Sequence, residues 1–416
     1  MNRVLFVDDE KRILEALRRS LRSLRYEWEM AFAISGQAAL EQLSTEAFDV
    51  IVSDLRMPGM DGAALLSEVR VRHPEIVRIV LSGHAELETL MRAIPVTHRY
   101  LGKPCDEELT DVLANLRELF PLVPDSRLRR AIGELDPIPT TQEAHRAMSD
   151  VLTRALPDID EVAMAVRSDL AMTTEVLRLA NSSFFDAASR TGSIGQAITS
   201  LGNSVLLDLL DTVPVLDPMT PSRAVPSVLI EGGNTHAQLT AELASRLLSD
   251  PRAAGYAFTA AMLHDLGELI FASSLPVEYD DVVAESARSG RPVFQVEEEW
   301  FGVSHAEIGA YMLGLWGLPR EIVTAVANHH HPSRNAPDTL DVVGALHVAD
   351  ALIDELDSAA GSKPSILDED YLFAVSALDE IPKWRHLAAK MSADVPDSCL
   401  SSGIWEIATL NEEIRP

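Results

Sequence analysis

The sequence predicts an α/β domain with a doubly wound parallel sheet, followed by an all-α domain. Three observations carry that prediction. Short apolar runs recur in the first quarter of the chain, each leading into a polar residue: Val4-Leu5-Phe6-Val7 into Asp8, Val50-Ile51-Val52-Ser53 into Asp54, Ile79-Val80-Leu81 into Ser82, and Tyr100-Leu101-Gly102 into Lys103. Stretches with the helical period lie between them. From Leu128 onward the helical period continues with almost no strand pattern. A strand buried on both faces reads as a continuous apolar run, and alternation of such runs with amphipathic helices defines a parallel α/β unit.

The helical stretches of the first domain follow in order. Arg12 to Leu24 repeats apolar residues at Ile13, Leu14, Leu17, Leu21 and Leu24, one face of a helix. Gly36 to Leu43, Ala63 to Val71, Leu87 to Ile94 and Glu107 to Leu119 behave alike. Phe120-Pro121-Leu122-Val123-Pro124-Asp125 then interrupts the pattern, because closely spaced prolines disfavour a continuing helix. The expected organisation is a first domain at 1–120, a linker at 121–126, a helical domain at 127–355 and a helical C-terminal extension at 356–416.

In the second domain, helices are expected at Thr141 to Leu156, Asp158 to Arg167, Met172 to Asn181, Ser193 to Leu201 and Val205 to Thr212. Gly233 to Leu248, Ala253 to Ala272, Tyr279 to Ser289, Pro292 to Phe301, Ser304 to Leu315, Arg320 to Asn328 and Leu340 to Glu355 follow.

Composition narrows the function classes. At 416 residues the chain calls for two or three domains, and 47% hydrophobic residues suffice for sizeable cores. The N-terminus runs straight into a strand, and no apolar run reaches the about 18 residues of a membrane span. Two cysteines, Cys105 and Cys399, imply no disulfide framework, so a reducing cytoplasm is expected. Residues 1–122 carry 15 Lys and Arg against 20 Asp and Glu, a net of −5, which leaves −24 for the remainder. Nucleic-acid binding needs a basic footprint, so a protein partner is expected and a nucleic acid or membrane is not.

If the apolar runs are neighbouring strands, their carboxyl ends gather Asp8, Asp9, Asp54, Ser82 and Lys103 at the edge where such sheets bind ligands. Three carboxylates together need a compensating cation, and all-oxygen ligation suits Mg²⁺. An ionised Asp54 there can act as a nucleophile toward a phosphoryl group, with Lys103 and the metal neutralising charge on the transferred oxygens and Ser82 donating to the product.

These residues resemble the response-regulator receiver family one by one. "VLFVDDE" matches its first strand and acidic pair, "DVIVSDLRMPGMDG" its phosphorylated strand at Asp54, and "VRIVLSGHA" its fourth strand with the switch hydroxyl Ser82. "RYLGKP" matches its fifth strand, with Tyr100 at the aromatic switch position, Lys103, and Pro104, which follows a cis bond in that family. The resemblance implies a five-stranded flavodoxin-like sheet, Mg²⁺ held at Asp8, Asp9 and Asp54, phosphorylation at Asp54 by a cognate histidine kinase, and a bacterial two-component system. It also implies pairing through the face of the fourth helix and fifth strand; the residues leave monomer and homodimer open.

The second domain resembles the HDOD family, a helical output module. "LRRAIGELDPIPTTQEAHRAM", "EVLRLANSSFFDAASRTGSIGQAITSLG", "TAAMLHDLGELIF", "FGVSHAEIGAYMLGLWGLPREIVTAVANHHHP" and "ALHVADAL" carry it, with a departure at Ser168-Asp169-Leu170. HDOD modules look like relatives of HD-type metal phosphohydrolases. That kinship implies ligands at His236, His264, Asp265, His305, His329, His330 and Asp350, with His264-Asp265 inside one apolar helix. Imidazole with carboxylate suits Fe, Mn or Zn alike. The His-Asp-x-Gly segment of the relatives that cleave cyclic dinucleotides ends in lysine. Here Glu268 stands in its place, a carboxylate that would repel a substrate phosphate, and their Gly-Tyr-Pro signature is missing after His331. Two functions remain: a non-enzymatic HDOD output that signals through a downstream protein, or a receiver-regulated metal phosphohydrolase acting on a nucleotide or cyclic dinucleotide. His145, His347, His386, Trp28, Trp300, Trp316, Trp384 and Trp405 read as packing or surface residues.

Overall fold

The computed structural model describes residues 2–83, 92–103, 106–135, 138–154, 156–182, 191–215, 227–335, 338–358 and 367–393. Packing divides the chain into two compact units, the first built mainly from residues up to Pro137 and the second mainly from residues after it.

The first unit is a five-stranded, all-parallel sheet: β1 (Asn2–Val7), β2 (Trp28–Ala33), β3 (Val50–Asp54), β4 (Val77–Ser82) and β5 (Arg99–Gly102), in the order β2-β1-β3-β4-β5. The strand order reverses between β1 and β3, which opens a crevice at their carboxyl ends. Val4, Leu5, Phe6, Val50, Ile51, Ile79 and Val80 have no exposed surface, as the apolar runs require. β2 is not among the expected strands, although Met30-Ala31-Phe32-Ala33 is an apolar run of its own. It is an edge strand, and its WEMAFA sequence carries an exposed Glu29 between buried Trp28 and a half-buried middle.

The helices Lys11–Ser20, Gly36–Leu43 and Gly62–Arg72 connect these strands, and Asp106–Leu119 follows the last strand. Ser35 and Asp61 cap the second and third of them by accepting from the N–H groups of Ala38 (3.2 Å) and Ala64 (2.8 Å). Leu21 to Leu24, expected to continue the first helix, belongs instead to a 3₁₀ turn, Leu21–Tyr26. Most of the stretch expected as a helix at Leu87 to Ile94, and Pro104 with its peptide bond, lie outside the described residues.

The division between units falls later than the proline-marked linker at 121–126. The helix Ser126–Glu134, read from sequence as the start of the helical domain, packs with the first unit. Arg78 on β4 is 3% exposed and donates to the carbonyls of Pro74 (3.0 Å), Ile76 (3.1 Å), Val96 (2.8 Å) and Gly133 (3.0 Å). Arg70 donates to the carbonyls of Glu134 and Leu135, each at 3.2 Å. A buried guanidinium must find acceptors, and the end of this helix supplies one of the four at Arg78. Gly133 makes the approach possible, because a Cβ there would overlap the Pro74 carbonyl.

The second unit is all helical among the described residues apart from a single bridge between Thr140 and Val215. Five of its helices present the residues of interest: Ser227–Leu247, Pro251–Leu263, His305–Leu315, Arg320–Asn328 and Val342–Ser358. The stretch expected as one helix from Ala253 to Ala272 is two, Pro251–Leu263 and Leu266–Ser274. His264-Asp265 therefore occupies a break and not the interior of a helix. Gly267 explains the turn: a Cβ there would overlap the His305 carbonyl, so only glycine lets the second helix press against the backbone at His305. In the C-terminal extension, the helices Glu369–Ala374 and Ile381–Ser392 bury Tyr371, Leu372, Trp384 and Ala388. No helix among the described residues is long and apolar enough to cross a membrane.

Candidate functional site

The crevice of the first unit brings together residues from three strand ends. β1 and β3 are paired with Val7 opposite Ser53, so Asp8 and Asp54 emerge side by side. Lys103, just past β5, donates from Nζ to Asp8 Oδ2 at 2.7 Å and also to Asp54 Oδ1. The other carboxylate oxygens are held by backbone: Glu10 N–H donates to Asp8 Oδ1 (2.8 Å) and Arg56 N–H to Asp54 Oδ2 (2.9 Å). Asp9 follows Asp8 and is exposed. Ser82 closes β4, where its carbonyl accepts from Lys103 N–H at 2.8 Å, and Tyr100 is 3% exposed within β5.

Burial raises the Asp54 carboxyl and the Asp8 charge adds to that, while Lys103 and the Arg56 N–H oppose it; the net shift is upward. Burial would lower Lys103, but its bonds to Asp54 and Asp8 outweigh it and hold the ammonium charged. Asp8 and Asp54 share one ammonium while Asp9 stands exposed beside them, so the oxygen-rich pocket is short of positive charge. That donor set fits a hard divalent ion at Asp8, Asp9 and Asp54. Gly62 shapes the pocket floor: a Cβ there would overlap the Asp54 carbonyl oxygen, so only glycine lets the capped helix start directly beneath Asp54.

In the second unit all seven residues singled out from sequence fall in one cluster. Asp350 Oδ1 stands 3.2 Å from His236 Nε2 and 3.1 Å from His264 Nε2. Asp265 Oδ1 stands 3.2 Å from His264 Nε2 and 3.6 Å from His305 Nε2. The Nε2 atoms of His305 and His330 are 2.8 Å apart, and the His330 ring stacks on Phe294 at 4.2 Å. His264 and His329 are fully buried, and each donates Nδ1–H to a carbonyl three residues back, Ala261 and Val326, both at 2.7 Å. That bond turns Nε2 toward the cluster, the orientation seen in metal-ligating histidines.

His329 Nε2 is buried with no hydrogen-bond partner among the described residues. Burial and the adjacent His264 push its ring down to about 3, so it is a neutral imidazole with a lone pair facing the cluster. Against the pull of burial, Glu297 lifts His305 to about 10, accepting from His305 Nδ1 (2.7 Å) and from its backbone N–H (2.8 Å). Glu297 has no exposed surface and also accepts from the Tyr279 hydroxyl at 2.9 Å. Two atoms each about 2.1 Å from one ion stand about 3.0 Å apart at an octahedral angle and about 3.4 Å at a tetrahedral one. The separations here match such edges, and together with the orphaned lone pair of His329 they make the donor set a fit for divalent transition metals.

Four overlapping groups of ligand atoms lie within 4.8 Å of one another: His236, His264 and Asp350; His264, Asp265 and His329; His305, His329 and His330; and Asp265, Glu268 and His305. Glu268 was read from sequence only as a displaced cation; the fold makes it a member of the cluster. The available signal was a lone carboxylate in an otherwise apolar helix. Glu297, one of three successive glutamates, carried no signal. His347 lies apart from the donor set: its Nδ1 donates to the His329 carbonyl (2.7 Å) and its Nε2 accepts from Asp368 N–H (2.9 Å), which pins the chain at His329.

An acidic, lysine-closed pocket on a five-stranded parallel sheet, joined to a helical unit with a His-Asp cluster, defines a receiver domain with an HD-related partner. Residues 4–114 match the family described as response regulator receiver domain, and residues 138–332 match the HDOD domain. The chain belongs to the response regulators that join these two domains, a two-component signalling architecture. It is 41% identical over 103 residues to the hydrogenase transcriptional regulatory protein HoxA of Cupriavidus necator, covering 24% of this chain and 21% of that one. It is 42% identical over 73 residues to the DNA-binding transcriptional regulator NtrC of Klebsiella pneumoniae, covering 17% and 16%. The chain thus spans about a fifth or less of the length of these curated relatives. Among solved structures, the signal receiver domain of an HD domain-containing protein from Pseudomonas fluorescens Pf-5 is 33% identical, covering 28% of this chain and 92% of that one, with a TM-score of 0.26.

Proposed function

We propose that Asp54 is the phosphorylation site of this response regulator, and that its state controls an HDOD output that works by binding a downstream protein in the cytoplasm. The meeting of Asp8, Asp54 and Lys103 in one pocket carries this reading. An Asp54 oxygen attacks the phosphorus of a phosphohistidine on the cognate kinase. The new P–O bond forms as the N–P bond breaks, and the departing imidazole keeps the electron pair. Lys103 supplies positive charge to the phosphoryl oxygens, and Asp8, Asp9 and Asp54 would hold a Mg²⁺ that would add to it. Ser82 and Tyr100, on the neighbouring strands β4 and β5, are the residues through which the change spreads. The charge of −24 beyond residue 122 supports a protein partner over a nucleic acid. Full-length protein given acetyl phosphate and Mg²⁺ should gain one acid-labile phosphate; an Asp54→Ala variant that labels equally well refutes the assignment.

The histidine cluster supports a second element of the reading. The HDOD domain binds divalent transition metal through His236, His264, Asp265, His305, His329, His330 and Asp350, the metal being Fe, Mn or Zn. In a hydrolytic enzyme such ions activate water and clamp a phosphoryl group. Glu268 puts a carboxylate beside Asp265 and His305, which favours metal retention over phosphohydrolase activity. Elemental analysis of anaerobically purified protein tests metal retention. Incubation of the metal-loaded protein with nucleotides and cyclic dinucleotides tests the enzymatic alternative.

A further inference from the structure

Glu268 is 7% exposed and opens the helix Leu266–Ser274, three residues after Asp265. One of its oxygens lies within 4.8 Å of ligand atoms of Asp265 and His305. His305 is shared with the group His305, His329 and His330, and Asp265 with the group His264, Asp265 and His329. The donors therefore form two sets that meet at Asp265. One holds His236, His264 and Asp350, and the other holds His305, His329 and His330 with Glu268 at its side. The buried Nε2 of His329, which lacks a hydrogen-bond partner among the described residues, is directed at the junction.

We infer that Glu268 is a metal ligand of this HDOD domain: with Asp265 and His305 it would hold a second divalent ion, beside the one that His236, His264 and Asp350 would hold. This rests on the metal-binding reading above and goes beyond it. A catalytic metal site keeps a position open for water or substrate, whereas a site whose positions are all filled by protein is structural. A carboxylate at Glu268 takes a position that a phosphate oxygen would otherwise occupy and repels the phosphate as well. Charge balance supports the same assignment. Two divalent ions bring four positive charges, which Asp265, Glu268 and Asp350 together with the buried Glu297 behind His305 would match. Glu297 stands behind His305 and orients its ring, so it is a positioning residue and not a ligand.

The experiment uses full-length protein stripped with chelator, reloaded anaerobically with Mn²⁺, desalted and measured for metal. Wild type should retain two Mn²⁺ per chain, and Glu268→Gln should retain one. Equal retention of two by both proteins overturns the role of Glu268 while leaving metal binding intact. No retention by wild type overturns the metal-binding reading itself. Glu268→Lys, loaded in the same way, should bind inorganic phosphate at least tenfold more tightly than loaded wild type; equal affinity overturns the claim that Glu268 closes the site. Should Glu268→Gln unfold, as read by circular dichroism, Glu268→Asp supplies the test. Its shortened carboxylate should weaken the second Mn²⁺ at least tenfold, and unchanged affinity overturns the assignment.

Discussion

Lys103 and Asp8 are 95 positions apart in the chain, and the Lys103 ammonium sits 2.7 Å from the Asp8 carboxylate. The same ammonium bonds Asp54, so one cation holds two carboxylates that would otherwise repel each other. Lys103→Met keeps most of the length of the side chain and removes the charge. Without divalent metal the variant should lose about 2 kcal/mol, less than for a fully buried pair because the pocket is partly open to water. Mg²⁺ should restore more stability to the variant than to wild type. Urea unfolding with and without Mg²⁺ measures both quantities, and equal metal-free stability would sink the ion-pair account.

Gly62 and Gly59 lie in the same loop region and should answer differently to alanine. A Cβ at Gly62 meets the backbone at Asp54 and Leu55, which cannot move aside without moving the phosphorylation strand. Gly62→Ala should cost about 3 kcal/mol and lower acetyl-phosphate labelling at least tenfold. Gly59 has a φ of 80° and nothing near its missing Cβ, so Gly59→Ala should cost about 1 kcal/mol through backbone strain alone and label normally. Labelling by Gly62→Ala at the wild-type rate would contradict this.

His98 should make the protein acid-sensitive. Burial, then the Arg78 guanidinium, holds its ring well below the ordinary value, and its Nδ1 accepts from Arg78 N–H at 2.9 Å. Folded His98 is neutral, while the unfolded chain takes up a proton below about pH 6.5. The unfolded state then binds more protons, so stability contributed by this residue falls as pH drops. The loss reaches about 1.4 kcal/mol by pH 5.5. In urea titrations at pH 7.5 and 5.5, the stability gap between wild type and His98→Gln should close by that amount on acidification. A constant gap would show that His98 takes up a proton in the folded state.

Metal should stabilise the helical domain. An ion bound only by the folded form at a hundred times its dissociation constant adds about 2.7 kcal/mol. Calorimetry of Mn²⁺-loaded protein should show the helical-domain transition several degrees above that of chelator-treated protein. His264→Ala should shrink the difference. Superimposable transitions in wild type with and without Mn²⁺ would argue against the site.

The local sequence determined the alternation of strand and helix and the all-helical character of the second domain, while the candidate ligands of that domain came from a family resemblance. Those properties are written in short-range periodicity and in residue type, which need no partner to be read. β2 escaped because its run, Met30-Ala31-Phe32-Ala33, is half alanine and mostly half-buried at the sheet edge, a weak strand signal. The break at His264-Asp265 escaped because its cause, the press of Gly267 against the His305 backbone, lies 38 positions further along the chain. Tertiary structure alone decided that Lys103 serves both Asp8 and Asp54, that the helix Ser126–Glu134 packs with the first unit through Arg78, and that Glu268 and Glu297 flank the histidines. Each of these is a contact between residues distant in sequence, set by the close packing of whole elements, and no local pattern encodes such a meeting.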